Sequence, residues 1–159
     1  MSAFKAQVIT VSTRGAAGTR PDTSGEIIVA ALKAGGFDVS PTVVIPDGPG
    51  VTSALRTAID TGHDLVITTG GTGLTPTDFT PEMTAPVIDR EIPGIADAIR
   101  AFGISNGIPT AALSRGIAGQ SGKSLVVNAP GSPGGAKDAM AVLMPIVIHA
   151  LEQISGSDH

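Results

Sequence analysis

"DLVITTGGTG", residues 64–73, runs from an unbroken apolar and β-branched stretch into three glycines and a threonine. Residues 64–69 are the clearest buried strand of the chain. The glycines that follow strip side chains away where that strand ends. Glycine permits backbone angles that other residues resist, and it lets a ligand approach the main chain closely. "LTPTDFTPEM" comes next, adding two carboxylates and a helix start: Thr80 as N-cap, Pro81 at the first position and Glu82 in the first turn.

Working outward, "AQVITVS" (6–12) is a second buried strand, followed by the long polar loop "TRGAAGTRPDTSG". "EIIVAALKAGG" places Ile27, Ile28, Ala31 and Leu32 on one helical face and stops at Gly35-Gly36. "FDVSPTVVI" (37–45) is an extended run in which Pro41 marks an edge or an irregular start. "VTSALRTAIDTG" carries a helical stripe of Val51, Leu55, Ala58 and Ile59 closed by Gly62. Strand, helix, strand, helix, strand is the grammar of a parallel α/β sheet with helices on both faces. Such sheets bind ligands beyond the carboxyl ends of their strands. Residues 12–25, 46–50 and 70–80 would then share one edge, and all three loops are rich in Gly, Ser, Thr or Asp.

Further on, Ile95, Ile99 and Phe102 give 93–103 a helical face. Residues 110–130 predict two extended segments around a Gly-rich connection, and 136–154 a long helix bent by Pro145. With no repeat or linker, residues 1–159 predict one domain.

The 159 residues, 42% hydrophobic and 15% charged, suit one domain with a substantial core. No apolar run approaches the roughly 18–20 residues that cross a bilayer. "MSAFKAQVITVS" lacks the features of a secretory signal. The chain has no cysteine, which excludes disulfides and thiolate metal sites and accords with a cytoplasmic location. A formal charge of −4 and aromatics at only 3%, all Phe, argue against a nucleic-acid surface. The low charged fraction points to a covering partner subunit. His63, His149 and His159 are scattered, without metal-ligand spacing, and read as surface residues.

"GGTG" (Gly70, Gly71, Thr72, Gly73) is neither a dinucleotide fingerprint nor a Walker loop. By itself it is a turn; at the end of a buried strand it becomes a phosphate-binding candidate. Asp47 and Asp78 each follow a predicted strand inside a Pro/Gly loop, where aspartate ordinarily serves as a local hydrogen-bonding device. Two of them on one sheet edge, beside a phosphate loop, suggest Mg²⁺ held by carboxylates, phosphates and water. Glu82 is explained by the helix dipole. "PGSPGG" (130–135), with Gly131 and Ser132, precedes a long helix and is either a hinge or a second anion site. Arg14, Arg20, Ser114, Arg115, Ser121 and Lys123 are polar groups that, if several converge, would suit a polyanionic substrate.

"IPDGPG", "TTGGTGLTPTDFTPE" and "SRGIAGQSGKSLVVNAPGSPGG", in this order and spacing, resemble the Mog/MoaB-type molybdopterin adenylyltransferases of molybdenum-cofactor biosynthesis. The resemblance runs from the first strand to the final helix. It implies a three-layer α/β/α sandwich with a mostly parallel sheet, assembled as a homotrimer. It also implies Mg²⁺-dependent transfer of AMP from ATP to the terminal phosphate of molybdopterin, with the product passing to a molybdate-insertion enzyme. Asp47 and Asp78 match that family's two functional aspartates, Gly70 to Gly73 its phosphate loop, and Ser132 its substrate-binding Pro-Gly-Ser loop. Many members carry arginine immediately before the second aspartate. Here that residue is Thr77, so either another cation takes its place, with Lys123, Arg115 and Arg14 as candidates, or that arginine is not essential. A non-catalytic molybdopterin carrier, or a trimeric scaffold, is the competing reading; both aspartates favour the enzyme and Thr77 the carrier.

Overall fold

The computed structural model describes residues 3–157. Met1, Ser2, Asp158 and His159 lie outside the described residues, and with them the reading of His159 as a surface residue. Seven strands form one sheet: β1 (Lys5–Val11), β2 (Asp38–Val39), β3 (Val43–Ile45), β4 (Leu65–Thr69), β5 (Arg90–Glu91), β6 (Ala118–Ser121) and β7 (Ser124–Ala129). Six α-helices accompany it: α1 (Thr13–Ala16), α2 (Thr23–Ala34), α3 (Gly50–Asp60), α4 (Thr80–Thr84), α5 (Pro93–Ser105) and α6 (Pro133–Ile154).

The spatial order is β2-β1-β4-β7-β6-β5, with β3 also paired to β1. β1 is parallel to β2, β3 and β4, and β4 is parallel to β7. The helices of the connections supply the long crossovers that parallel pairing requires. Only two residues, Gly122 and Lys123, join β6 to β7, so that pair is an antiparallel hairpin; β5 also pairs antiparallel with β6, but across the long connection that contains α5. The architecture is the expected α/β sandwich with a mostly parallel sheet, and β1 and β4 are its neighbouring interior strands.

Because successive side chains point to opposite faces, one strand feeds two cores. Ala6, Val8, Leu65, Ile67, Leu125 and Val127 pack with Ile28, Leu32, Ile99, Leu143 and Val147 of α2, α5 and α6. Ile9, Val11, Val66 and Val126 pack with Val51, Leu55 and Ala58 of α3 on the other face. Each fully buried Leu or Ile contributes about 1.5–3 kcal/mol relative to exposure. The central strands therefore cannot slip register without turning both cores inside out.

Four local expectations are corrected. Residues 37–45 form two strands, because Pro41 interrupts the ladder; Gln7 Nε2 spans the break by donating to Pro41 O at 2.9 Å. Residues Pro109–Leu113 form a 3₁₀ turn opened by proline, and only 118–129 is extended. Phe79, not Thr80, occupies the cap position of α4, since the Thr80 main-chain NH is tied to Gly71 O at 3.0 Å. His63 is half-buried rather than on the surface: Nε2 pairs with Ser40 Oγ and Nδ1 with Ala58 O, each at 2.8 Å. Helix α6, 22 residues long, is by length and composition apolar enough to cross a bilayer, although no unbroken apolar run marks it in the sequence. Its buried stripe of Ala136, Ala139, Met140, Leu143, Val147 and Leu151 is spent on the core.

Candidate functional site

β1, β3, β4 and β7 all run the same way, so the residues after Val11, Ile45, Thr69 and Ala129 gather on one edge of the sheet. Glycine is required there for contact before any ligand is considered. Gly70 has φ +102, and a side chain on it would meet Val11 O at 2.3 Å. Gly131 packs on Gly70, where a Cβ would stand 3.0 Å from its Cα. The three strand ends thus close to backbone distance. Among the described residues, the main-chain NH groups of Gly71, Gly73, Gly131 and Ser132 donate no hydrogen bond.

Two adjoining cavities open over this edge. One, about 1050 Å³, is polar: Ser12, Thr13, Arg14, Arg20, Asp22 and Asp47 line it, with Gly70 and Thr77. The other, about 640 Å³, has an apolar floor of Ile99, Ile108, Ala111 and Leu113, with Thr72, Gly73 and Ser114 on its wall. Gly71, Asp78, Gly131 and Ser132 line both, forming the ridge between them. Asp47, Asp78, Gly70 to Gly73, Ser114, Gly131, Ser132, Arg14 and Arg20 thus line one cavity or the other, whereas Arg115, Ser121 and Lys123 line neither.

Each aspartate is held by its loop. Asp47 Oδ2 accepts from Thr13 Oγ1 at 3.0 Å, and the Asp47 main-chain NH donates to the same oxygen at 3.3 Å. Asp78 Oδ2 accepts from Thr75 N at 3.0 Å, a tight turn that aims the carboxylate at Gly73. Ser132 caps the 22-residue helix α6, its Oγ accepting from Gly135 N at 3.0 Å. The positive end of that helix dipole faces the ridge.

The cations are distributed differently from the sequence expectation. Arg115 is committed to the loop itself. Its Nε donates to Gly73 O at 2.9 Å and its Nη2 to Asp78 O at 2.8 Å, while Nη1 reaches both Glu82 oxygens at 2.9 and 2.7 Å. The Arg115 hydrogen bond holds the Glu82 carboxyl below its ordinary range, and the same bond raises Arg115. Glu82 is thus the anchor of a clamp as well as a first-turn acid. Lys123, in the hairpin before β7, lies at the opposite end of the sheet from the residues after Ala129. Of the three cations considered in place of the missing arginine, Arg14 lines the polar cavity, joined by Arg20.

Sequence reasoning missed Asp22, which lines the polar cavity while capping α2: its Oδ1 accepts from Gly25 N at 3.2 Å and Thr10 Oγ1 at 2.8 Å. An aspartate just before the predicted helix was the available capping signal. It also missed Asn128, buried behind the loop, whose Nδ2 donates to Thr68 Oγ1 at 2.8 Å and Thr84 Oγ1 at 3.1 Å. Nothing in the sequence distinguishes that asparagine from a turn residue.

Residues 7–149 match the family model described as a probable molybdopterin binding domain. The chain belongs to that family. It is a Mog/MoaB-type member, 37% identical over 153 residues to the molybdopterin adenylyltransferase of Pyrococcus furiosus, covering 94% of this chain and 90% of that one. The Mog protein of Mycobacterium ulcerans superposes with a TM-score of 0.91 at 49% identity, over 96% of this chain and 99% of that one. The molybdenum cofactor biosynthesis bifunctional protein of Chlorobaculum tepidum is 36% identical over 153 residues, 96% of this chain and 49% of that protein. The chain spans about half the length of the bifunctional relatives it matches.

Proposed function

We propose that this Mog/MoaB-type chain transfers AMP from ATP to molybdopterin. The observation that carries the reading is the ridge of Gly71, Asp78, Gly131 and Ser132, common to a polar and an apolar cavity. Two substrates lodged on its two sides would bring their phosphates together over it. A terminal phosphate oxygen of molybdopterin attacks the α-phosphorus of ATP. The bond from that phosphorus to the bridging oxygen breaks, and pyrophosphate leaves with the electron pair. No protein nucleophile is needed, because such transfers depend on positioning and on stabilising charge.

Three aspartates and two arginines line the polar cavity, an unfavourable lining for a polyphosphate unless a cation accompanies it. Among the described residues no group of three or more acidic or histidine side chains is placed to form an all-protein cage. The mixed acidic and basic lining of that cavity fits Mg²⁺, which keeps waters and takes one or two carboxylates plus substrate oxygens. Asp47 and Asp78 would hold it; when bound it neutralises phosphate charge. Arg14 and Arg20 supply positive charge from the first loop, and the Gly71, Gly73, Gly131 and Ser132 NH groups supply neutral donors. Ile99, Ile108 and Leu113 offer a flat ring system a dry surface.

A homotrimer and a molybdate-insertion partner belong to the same proposal. Exposed Leu74, Phe79 and Ile104 provide apolar surface of the kind such contacts use. The carrier reading keeps one supporting observation: Thr77, exposed on the polar cavity, offers no fixed guanidinium to phosphate. ATP-dependent pyrophosphate release in the presence of molybdopterin separates the two. The enzyme releases it only when ATP, Mg²⁺ and molybdopterin are all present; binding of molybdopterin without any release would leave the carrier.

A further inference from the structure

Leu74, Thr75, Pro76 and Thr77 are exposed one after another, so no core packing fixes the loop that carries Asp78. Its internal bonds give it a shape without attaching it. Thr75 N donates to Asp78 Oδ2 at 3.0 Å, and Asp78 N donates to Thr75 O at 3.1 Å. The two feet of the loop stand close together, since a side chain on Gly73 would meet Asp78 Oδ2 at 2.9 Å. A carboxylate at the tip of such a turn keeps its place only if both feet are held.

Arg115 holds both. Nε and Nη2 share one edge of the planar guanidinium, and that edge donates to Gly73 O at 2.9 Å and to Asp78 O at 2.8 Å. At the end of the fork, Nη1 reaches both Glu82 oxygens at 2.9 and 2.7 Å, which keeps the plane from turning. Arg115 is itself fixed. Its main-chain NH donates to Thr72 O at 2.8 Å, and the carbonyls on either side, Ser114 O and Gly116 O, accept from Arg100 Nη1 at 3.2 and 2.9 Å. A continuous line of bonds therefore runs from Arg100 on α5, through residues 114–116, to the two feet of the loop. Arg115 lines neither cavity, so this guanidinium is not placed to bind a substrate.

We propose that Arg115 is the positioning residue for Asp78. By bridging the feet of the loop, its guanidinium fixes the Asp78 carboxylate at the ridge where the two cavities meet. What it supplies is a rigid planar fork rather than charge. Lysine would keep the charge, but one ammonium on a flexible stem cannot span two carbonyls and a carboxylate in a set plane. The inference rests on the reading of Asp78 as a cation-binding carboxylate and adds the residue that orients it. Removing a partner that orients a metal ligand typically lowers metal affinity by about 10–100-fold.

The probe is the Mn²⁺ complex of ATP, its binding to the protein read by electron paramagnetic resonance well below each variant's melting temperature. The intact chain is compared with Arg115→Lys, Glu82→Ala, Asp78→Asn and the double variant Arg115→Lys/Asp78→Asn. Arg115→Lys is expected to weaken binding by roughly tenfold although the charge is kept. Glu82→Ala leaves both carbonyl contacts but frees the plane of the fork, and should weaken binding by a smaller factor. The double variant should bind no more weakly than Asp78→Asn alone, because both changes act through one carboxylate. A fall in stability by itself would not produce that pattern, since lost packing adds to the effect of Asp78→Asn. Unchanged binding by Arg115→Lys with weakened binding by Asp78→Asn would overturn the role of Arg115 and leave the cation reading intact. Unchanged binding by Asp78→Asn would overturn both. Additive losses in the double variant would also overturn the proposal, because Arg115 would then act elsewhere. Should Arg115→Lys fail to fold, Glu82→Ala carries the test, and unchanged binding by that variant overturns the proposal.

Discussion

Replacing Gly70 with alanine separates two costs that the strand-end loop imposes. At φ +102 an L-residue is conformationally strained, and its Cβ would meet Val11 O, a main-chain atom inside the sheet, at 2.3 Å. Gly36, just after α2, supplies the control: φ is +87 there, and a Cβ would have nothing within 4 Å. Left-handed backbone costs an L-residue about 1–2 kcal/mol, which is the whole expectation for Gly36→Ala. Forcing a methyl group into packed surroundings adds about 1–3 kcal/mol, so Gly70→Ala should cost about 2–5 kcal/mol. For a domain of this size that is a fall of about 4–20 °C in melting temperature. The chain has no Trp and no Tyr, so urea unfolding followed by far-UV circular dichroism is the suitable assay, at one fixed protein concentration. Equal losses for Gly70→Ala and Gly36→Ala would refute the argument, because the approach to Val11 would then contribute nothing.

Three further outcomes follow from named contacts. Asp78→Asn retains an oxygen for the Thr75 N–H at 3.0 Å, so its melting temperature should move by less than about 2 °C, while ATP-dependent pyrophosphate release falls by about a hundredfold or more; unchanged release at limiting Mg²⁺ would remove Asp78 from the site. Glu82 has its pKa lowered from 4.5, chiefly by the Arg115 hydrogen bond, so its contribution is present above that value and lost as pH falls through the lowered one; Glu82→Gln should flatten stability below pH 4.5, weakly because Glu82 is nearly half exposed, and a variant with the same acid limb would contradict the clamp. Asn128→Ala strands the Ile117 NH and the Thr68 hydroxyl, leaves Thr84 Oγ1 only its bond to Thr80 O, and should cost on the order of 2–4 kcal/mol by urea titration; a loss under about 1 kcal/mol would mean the network relaxes freely.

Much of this architecture was legible because it is written in local chemistry. Residues 64–69 and 6–12 are apolar and β-branched, and Val51, Leu55 and Ala58 recur at helical spacing, so burial and periodicity alone place β1, β4 and α3. Pro41 announced an irregular edge, though not that the run would split into β2 and β3. The glycine-rich loops announced a site, since residues 70–73 have no role in the middle of a strand or helix. Their convergence with Asp47, Asp78 and Ser132 followed from the topology, because parallel strands deliver their carboxyl ends to one edge.

What sequence spacing could not decide was the task of each polar side chain once it arrived. Arg115 and Lys123 stand eight residues apart on either side of β6, yet one clamps Gly73, Asp78 and Glu82 while the other caps a hairpin at the far end of the sheet. The neighbours of Thr80 predict a helix cap, whereas its NH is taken by Gly71 O and its hydroxyl is buried without a hydrogen-bond partner. Hydrophobic pattern and turn chemistry act through residues a few positions away, so the sequence carries them directly. Ion pairs, buried networks and shared cavities join residues 30 to 60 positions apart, and only the closed fold determines which of many possible partners comes within 3 Å.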